Sequence, residues 1–280
     1  MKLYPIPTGT IKLDGGAMFG VVPRTLWSKA YPADENNLCT WAMRCLLVDT
    51  GSRKILIDNG TGEYHDEKFS RLYGLGDGED SLGKSLGKHG LTTDDITDVI
   101  LTHLHFDHCG GSVKFNDDRS RLIPAFSNAT YWVSRIQWEN ANHPNKREKA
   151  SFLKETFTPV AENGQLAFIE KEGELFPGIT LRIFDGHTEG QVIPFIRYKN
   201  TTVVFVADLI PSSAHIPLSW MLSFDMQPMV TLREKEDFLN EAADNQYILF
   251  LEHDLYNECC TVQRTEKGVR VKERFELQFI

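Results

Sequence analysis

The sequence predicts an α/β protein of four layers, two β-sheets packed face to face with helices outside (αββα). Three observations carry this. Short apolar strands alternate with helical segments in both halves of the 280 residues. Several of those strands stop abruptly at Asp, Glu or His. No linker-like tract divides the chain, so residues 1–280 read as one domain.

The elements follow in order. Residues 2–5 and 10–13 read as strands, with Asp14-Gly15-Gly16 as a turn. Met18, Phe19, Val21, Val22, Leu26 and Trp27 then make an apolar stretch without strand alternation. Such a stretch suits a loop over a site mouth or a dimer contact, with core packing as the alternative. Residues 45–48 and 54–58 form a hairpin around the polar Thr50-Gly51-Ser52. Its second strand stops at Asp58-Asn59-Gly60. Residues 81–90 suit a helix, with Leu82 and Leu86 four apart and Gly90 as its stop. Residues 97–101 (TDVIL) are a buried strand, and residues 129–133 another, with a helix starting at 134–140. Residues 143–164 are polar and less regular. Three more apolar strands follow. Residues 179–184 run into Asp185-Gly186-His187. Residues 202–206 run into Ala207-Asp208. Residues 247–251 run into Glu252-His253-Asp254. An amphipathic helix spans 232–243 between the last two.

Composition removes several function classes. The chain is 41% hydrophobic and 25% charged, which suits a globular protein rather than a disordered one. The net charge is -9, and no Lys/Arg-rich run stands out, so nucleic acid and anionic membranes are not expected partners. No stretch approaches the apolar length of a membrane span, and the N-terminus lacks a secretory apolar region, so the expected location is cytoplasmic. Five cysteines, with no CxxC pair, argue against a disulfide framework. Cys109 reads as a small apolar filler.

The chemistry is concentrated in THLHFDHCGG at residues 102–111. His103, His105, Asp107 and His108 fall within six positions, directly after a strand. A buried cluster of that kind is costly unless a cation compensates it. The strand ends add His187, Asp208 and His253. One cation needs only three or four of these seven groups. Seven suit two ions about 3.5–4 Å apart with a carboxylate between them, and Asp208 is the candidate bridge. Nitrogen and oxygen donors without a thiolate suit zinc and also admit manganese, iron or cobalt. A lone strand-end histidine is more often solvated or capped than a ligand. The dense HxHxDH pattern makes the other three coherent.

THLHFDHCGG, with DGHTEG, ADL and EHD downstream, resembles the metallo-β-lactamase superfamily, in the same motif order over most of the chain. LIDNG at residues 56–60 is similar to that superfamily's strand-end Asp-x-Gly segment. KLYPIPTG, HLHFDH and EHD resemble the N-acyl homoserine lactonases. DGGAMFGVVPRTLWSKAYP at residues 14–32 is most similar to the probable quorum-quenching lactonases of bacilli. The resemblance implies the αββα sandwich of the metallo-β-lactamase type. It implies that His103, His105 and His187 hold one ion. Asp107, His108 and His253 would hold the other, with Asp208 shared, and a homodimer is suggested.

The implied reaction is opening of a lactone ring. Two ions sharing a water lower its pKa and supply a bridging hydroxide. Asp107 is placed to shuttle a proton to the leaving alkoxide. Asp58 would steady a ligand imidazole or the loop from behind. Thr188 and Gly190 would shape the His187 turn. The chain departs from the lactonases at Pro211, where they place a tyrosine that contacts the lactone carbonyl. His215 is the candidate replacement, with a structural histidine as the alternative. Met18, Phe19, Trp27 and Trp220 are candidate substrate contacts.

Two rivals stay open. An arylesterase or phosphotriesterase can use the same dinuclear site, and Pro211 keeps that alternative in play. A non-catalytic metal-binding protein is the other, although seven ligands for two ions leave coordination positions open, which favours catalysis.

Overall fold

The computed structural model describes residues 1–76 and 80–280. They divide into two compact units, each discontinuous in sequence. The first holds residues 1–10 and 43–171, and the second holds residues 11–42 and 172–280. Among the described residues no helix is long and apolar enough to cross a membrane.

The first unit is built on a six-stranded sheet. Its order is Lys2–Asp14, Leu38–Asp49, Lys54–Ile57, Asp98–Ile100, Thr130–Ser134 and Leu166–Ile169. The first two strands supply only residues 2–10 and 43–49 to this unit. The hairpin forms as expected, with Leu46 opposite Ile57 and Asp49 opposite Lys54. The next three pairings are parallel. Both faces of such strands are covered, so KILI and DVI are apolar almost throughout. Leu47, Leu56, Val99, Tyr131 and Val133 lie in the core of this unit.

The second unit is built on a seven-stranded sheet. Its order is Gly268–Phe275, Cys259–Thr265, Ile248–Phe250, Thr201–Phe205, Gln191–Tyr198, Ile179–Phe184 and Gly173–Phe176. Only Thr201–Phe205 and Ile248–Phe250 pair in parallel. The long helix Pro228–Asn245 buries Thr231, Lys235, Phe238, Leu239 and Ala242. That spacing of three and four is the stripe an amphipathic helix needs. Proline at its start and the left-handed Gln246 at its end give it wider bounds than 232–243.

One local expectation fails. Residues 2–14 form a single strand, and Asp14-Gly15-Gly16 is no hairpin turn. Asp14 caps the short helix Gly15–Phe19 by accepting from Ala17 N at 2.8 Å. A second helix, Arg24–Ala30, follows. A capping aspartate and a turn-forming one look alike in sequence.

Candidate metal centre

Each unit gathers its candidate ligands by the same device. In the first, Lys54–Ile57 and Asp98–Ile100 lie side by side in parallel, so their C-terminal ends are neighbours. One continues into Asp58 and the other into Thr102 and the HxHxDH loop. Asp58 adopts a left-handed φ of 55°, unusual outside glycine. That turn directs its carboxylate at the loop. Oδ1 accepts from Thr102 N at 2.7 Å and Oδ2 from Thr102 Oγ1 at 2.6 Å. Oδ2 also meets His108 Nδ1 at 3.1 Å. Asn59 N donates to His108 O and Gly111 N to Gly60 O, so LIDNG braces the loop along its length.

These bonds fix which ring nitrogen each histidine offers. The Thr102 hydroxyl proton goes to Asp58, so Thr102 Oγ1 accepts from His103 Nδ1 at 3.1 Å. Nε2 is then the lone-pair atom of His103. His108 Nδ1 donates to Asp58, which again leaves the coordinating role to Nε2. His105 is reversed. Its Nε2 meets Glu148 Oε1 at 3.1 Å, and Nδ1 faces the other way. Glu148 is itself held by Asn140 Nδ2 and Asn145 Nδ2 at 3.2 and 3.1 Å. His103 and His105 bring ligand nitrogens within 4.8 Å of one another, as Asp107 and His108 do their ligand atoms. Asp107 is the least buried of the four, with its side chain 13% exposed.

In the second unit, Thr201–Phe205 and Ile248–Phe250 are the parallel neighbours, and they end in Asp208 and His253. Ala207 takes a φ of 40° to turn the chain there, a strained value for a residue with a Cβ. Asp208 N donates to Gln191 Oε1 at 3.3 Å. The Asp208 carboxylate then spans two imidazoles. Oδ2 is 3.1 Å from His187 Nε2, and Oδ1 is 3.2 Å from His253 Nε2. Both rings are held from behind, His187 Nδ1 by Asp225 Oδ1 at 3.0 Å and His253 Nδ1 by Ala42 O at 2.7 Å. Burial pulls the His187 pKa down. The charges of Asp208 and Asp225 outweigh it and lift the pKa to about 10. This pocket therefore favours positive charge.

The donors fit divalent metal. All five imidazoles have one nitrogen fixed by a protein group, the arrangement that orients metal-binding histidines. Every donor is nitrogen or oxygen, and none is a thiolate. Cys109 is buried instead, with its thiol near Leu104 O and Thr156 Oγ1.

His215 and its neighbours form an aromatic cluster in the second unit. His215 is buried, and both ring nitrogens are engaged. Nε2 donates to Met18 O at 2.8 Å, and Nδ1 pairs with Ser212 Oγ at 2.8 Å. Its ring lies flat on Phe19, centroids 4.6 Å apart. Phe19 also stacks on Trp27 and meets Trp220 edge-on. Met18, Phe19 and Trp27 are core residues of the second unit, and Trp220 is half-buried. This packing supports the alternative readings, core packing for Met18, Phe19 and Trp27 and a structural histidine at position 215. Only Val21, 89% exposed, and Leu26, 52% exposed, project outward.

Sequence reading missed four groups. Glu148 gave no signal in its irregular segment, and Asp225 stands alone in a loop. Phe69 and Tyr73 come from the helix Glu67–Leu72 and its cap. They pack on Phe106 at 5.3 and 4.8 Å, beside Asp107. Burial and the Asp107 charge both raise the Tyr73 pKa.

The N-acyl homoserine lactonase of Bacillus cereus is 27% identical over 214 residues, covering 73% of this chain and 74% of that one. The crystal structure of a probable metal-dependent hydrolase from Staphylococcus aureus matches with a TM-score of 0.88 at 31% identity. That match covers 98% of this chain and 96% of the other. AidC, a dizinc quorum-quenching lactonase solved in complex with a product, matches with a TM-score of 0.79 at 24% identity, covering 98% and 95%. At that identity the likeness concerns the fold. The His and Asp groups of this chain could hold divalent metal. The family model described as the metallo-beta-lactamase superfamily matches residues 44–253, from the first hairpin through the last candidate ligand, and so the chain belongs to that superfamily and has its mixed α/β fold.

Proposed function

We propose that the protein is a metal-dependent hydrolase that opens a lactone ring, with acyl homoserine lactones as the substrate class. The observation that carries this reading is Asp208. Its carboxylate is buried and gives one oxygen to His187 and the other to His253. A carboxylate shared in that way suits a pair of ions. His103, His105 and His187 are assigned to one ion, and Asp107, His108 and His253 to the other. Asp208 is common to both. Zinc is the metal proposed, with manganese, iron or cobalt admitted by the same donors. The lactone is proposed from the curated relatives, which carry the name N-acyl homoserine lactonase.

Two divalent ions, when bound, supply a nucleophile near neutral pH and a Lewis acid for an ester carbonyl. The chain's own residues do the rest. Asp58 and Glu148 hold three imidazoles in fixed tautomers, so little reorganisation is needed when metal or substrate enters. Asp107 is assigned the proton that the leaving alkoxide needs, because its carboxylate is the most accessible of the loop donors. Phe106, with Phe69 and Tyr73, offers an apolar wall beside it.

A second reading keeps the site and changes the substrate to an aryl ester or phosphotriester. Pro211 favours it, because no phenol stands there to donate to a lactone carbonyl. His215 has both nitrogens engaged elsewhere. A pH-stat assay separates the readings. The metal-loaded protein meets short- and long-chain acyl homoserine lactones, simple γ-lactones, aryl esters and a phosphotriester, with metal-free protein and Asp208→Ala as controls. Lactone turnover lost in both controls is expected. Turnover of only the esters or the phosphotriester would replace the first reading with the second. A protein that binds metal and turns over nothing in the panel would favour the non-catalytic alternative.

A further inference from the structure

The long helix Pro228–Asn245 carries a group that the reading above does not use. Glu234 lies on its first turns, half-buried. Its carboxylate reaches the Asp185-Gly186-His187 turn and takes two consecutive backbone amides. Oε1 accepts from Asp185 N at 2.8 Å, and Oε2 accepts from Gly186 N at 3.0 Å. The same turn is tied to the chain just before the helix. Gln227 N donates to Gly186 O at 2.9 Å and Met226 N to His187 O at 3.0 Å. Gln227 Nε2 reaches Asp185 O at 3.3 Å.

Close packing completes the seat. A Cβ on Gly186 would lie 2.4 Å from Thr231 N and 2.5 Å from Thr231 Cα. Those are backbone atoms within the helix, so they cannot swing aside. Residue 186 is therefore glycine because the turn is pressed onto the helix. His187 leaves that turn with its Nδ1 on Asp225 and its Nε2 toward Asp208. Asp225 holds the ring only if the backbone delivers the ring to it. Among the described residues, Glu234 is the side chain that grips both amides immediately before His187.

We infer that Glu234 is a positioning residue that sets the metal affinity of His187 by fixing the backbone of its turn. The inference rests on the assignment of His187 as a ligand. A carboxylate suits the task because it offers two acceptors to two donors. Glutamine in its place offers one acceptor and turns an N–H₂ toward a backbone N–H. Partners behind a ligand typically change metal affinity by about 10–100-fold when removed.

The test uses the full chain with zinc competed by a chromophoric chelator and with cobalt as a spectroscopic probe. Glu234→Gln is compared with wild type and with Glu236→Gln, which removes an exposed charge two positions along the same helix. Expected is zinc binding weakened about 10–100-fold in Glu234→Gln, with an altered cobalt d–d spectrum and an unchanged far-ultraviolet circular dichroism spectrum. Glu236→Gln should match wild type. Glu234→Asp keeps the charge on a shorter arm, and partial recovery of affinity is expected. It carries the test if Glu234→Gln does not fold. Wild-type zinc affinity and cobalt spectrum in folded Glu234→Gln would overturn the inference and leave the hydrolase reading standing. A wild-type protein that binds neither zinc nor cobalt would overturn the ligand assignment, and the inference with it.

Discussion

At the residue scale, single buried groups decide what the ligands can do. Asp58 collects three donors, two from Thr102 and one from His108. Asp58→Asn keeps a residue that tolerates the left-handed backbone, so it isolates the loss of charge from strain. An N–H₂ then faces donors, and the tautomers of His103 and His108 are no longer enforced. Zinc affinity measured by chelator competition should fall about 10–100-fold. Wild-type affinity would mean that Asp58 only shapes the turn. His215 gives a second test. Burial holds its pKa down to about 3, with Lys235 adding to the effect and Asp208 and Asp254 opposing it. Between the unfolded value of about 6.5 and that folded value, only the unfolded chain takes the proton. Stability from this group is therefore full above about pH 6.5 and is lost as pH falls, by about 1.4 kcal/mol per pH unit. His215→Gln keeps a donor for Met18 O and removes the titration. Urea denaturation of the metal-free proteins at about pH 7.5 and about pH 5 should show wild type losing about 2 kcal/mol more than the variant. Equal losses would show that the ring takes up a proton without cost.

At the element scale, the strand ends were legible in the sequence and the packing behind them was not. Apolar runs that stop at Asp or His need no partner to be recognised. So the sequence exposes Asp58, the HxHxDH loop, His187, Asp208 and His253. Which strands run parallel, and thus bring Asp58 to Thr102 and Asp208 to His253, depends on pairing between distant segments. Glu148 and Asp225 act through long-range contacts with His105 and His187, and no local pattern marks them. Residues 14–32 show the limit most clearly. An apolar stretch without alternation suited a loop at a site mouth, a dimer contact or core, and the structure makes it two short helices around an aromatic core. The reason lies in Gly15. A Cβ there would meet Trp27 Cη2 at 2.2 Å, so the missing side chain is the space that Trp27 fills. Gly15→Ala should push Trp27 off its stack with Phe19 and lower stability by about 1–3 kcal/mol, the usual cost of overpacking a core. Gly83→Ala meets nothing within 4 Å in the helix Leu82–Gly87, and it should be neutral or stabilising. Urea midpoints and tryptophan emission read both. An unshifted Gly15→Ala midpoint would show that the aromatic core adapts.

At the scale of the whole molecule, buried charge must be balanced by something the native state binds. The chain carries a net charge of -9, and buried carboxylates lie behind or between its imidazoles. Protonation of His187 can relieve this only in part, because two carboxylates, Asp208 and Asp225, face that one ring. A divalent ion relieves more, and it binds the folded arrangement far better than the unfolded chain. Linkage then fixes the outcome. Free metal at about a hundred times its dissociation constant adds about 2.7 kcal/mol to stability. For a chain of this size that corresponds to roughly 5 °C in Tm. Stripping the protein with a strong chelator and dialysing the chelator away should lower Tm by that amount, and zinc should restore it. Asp208→Ala should show a much smaller shift, because it removes the carboxylate that reaches both imidazoles. If wild type and Asp208→Ala respond equally, the added zinc is acting at surface carboxylates. If neither responds, the proposed pair of ions loses its support. A wild-type shift that rises with the logarithm of free zinc and is nearly absent from the variant ties stability and the proposed chemistry to the same carboxylate.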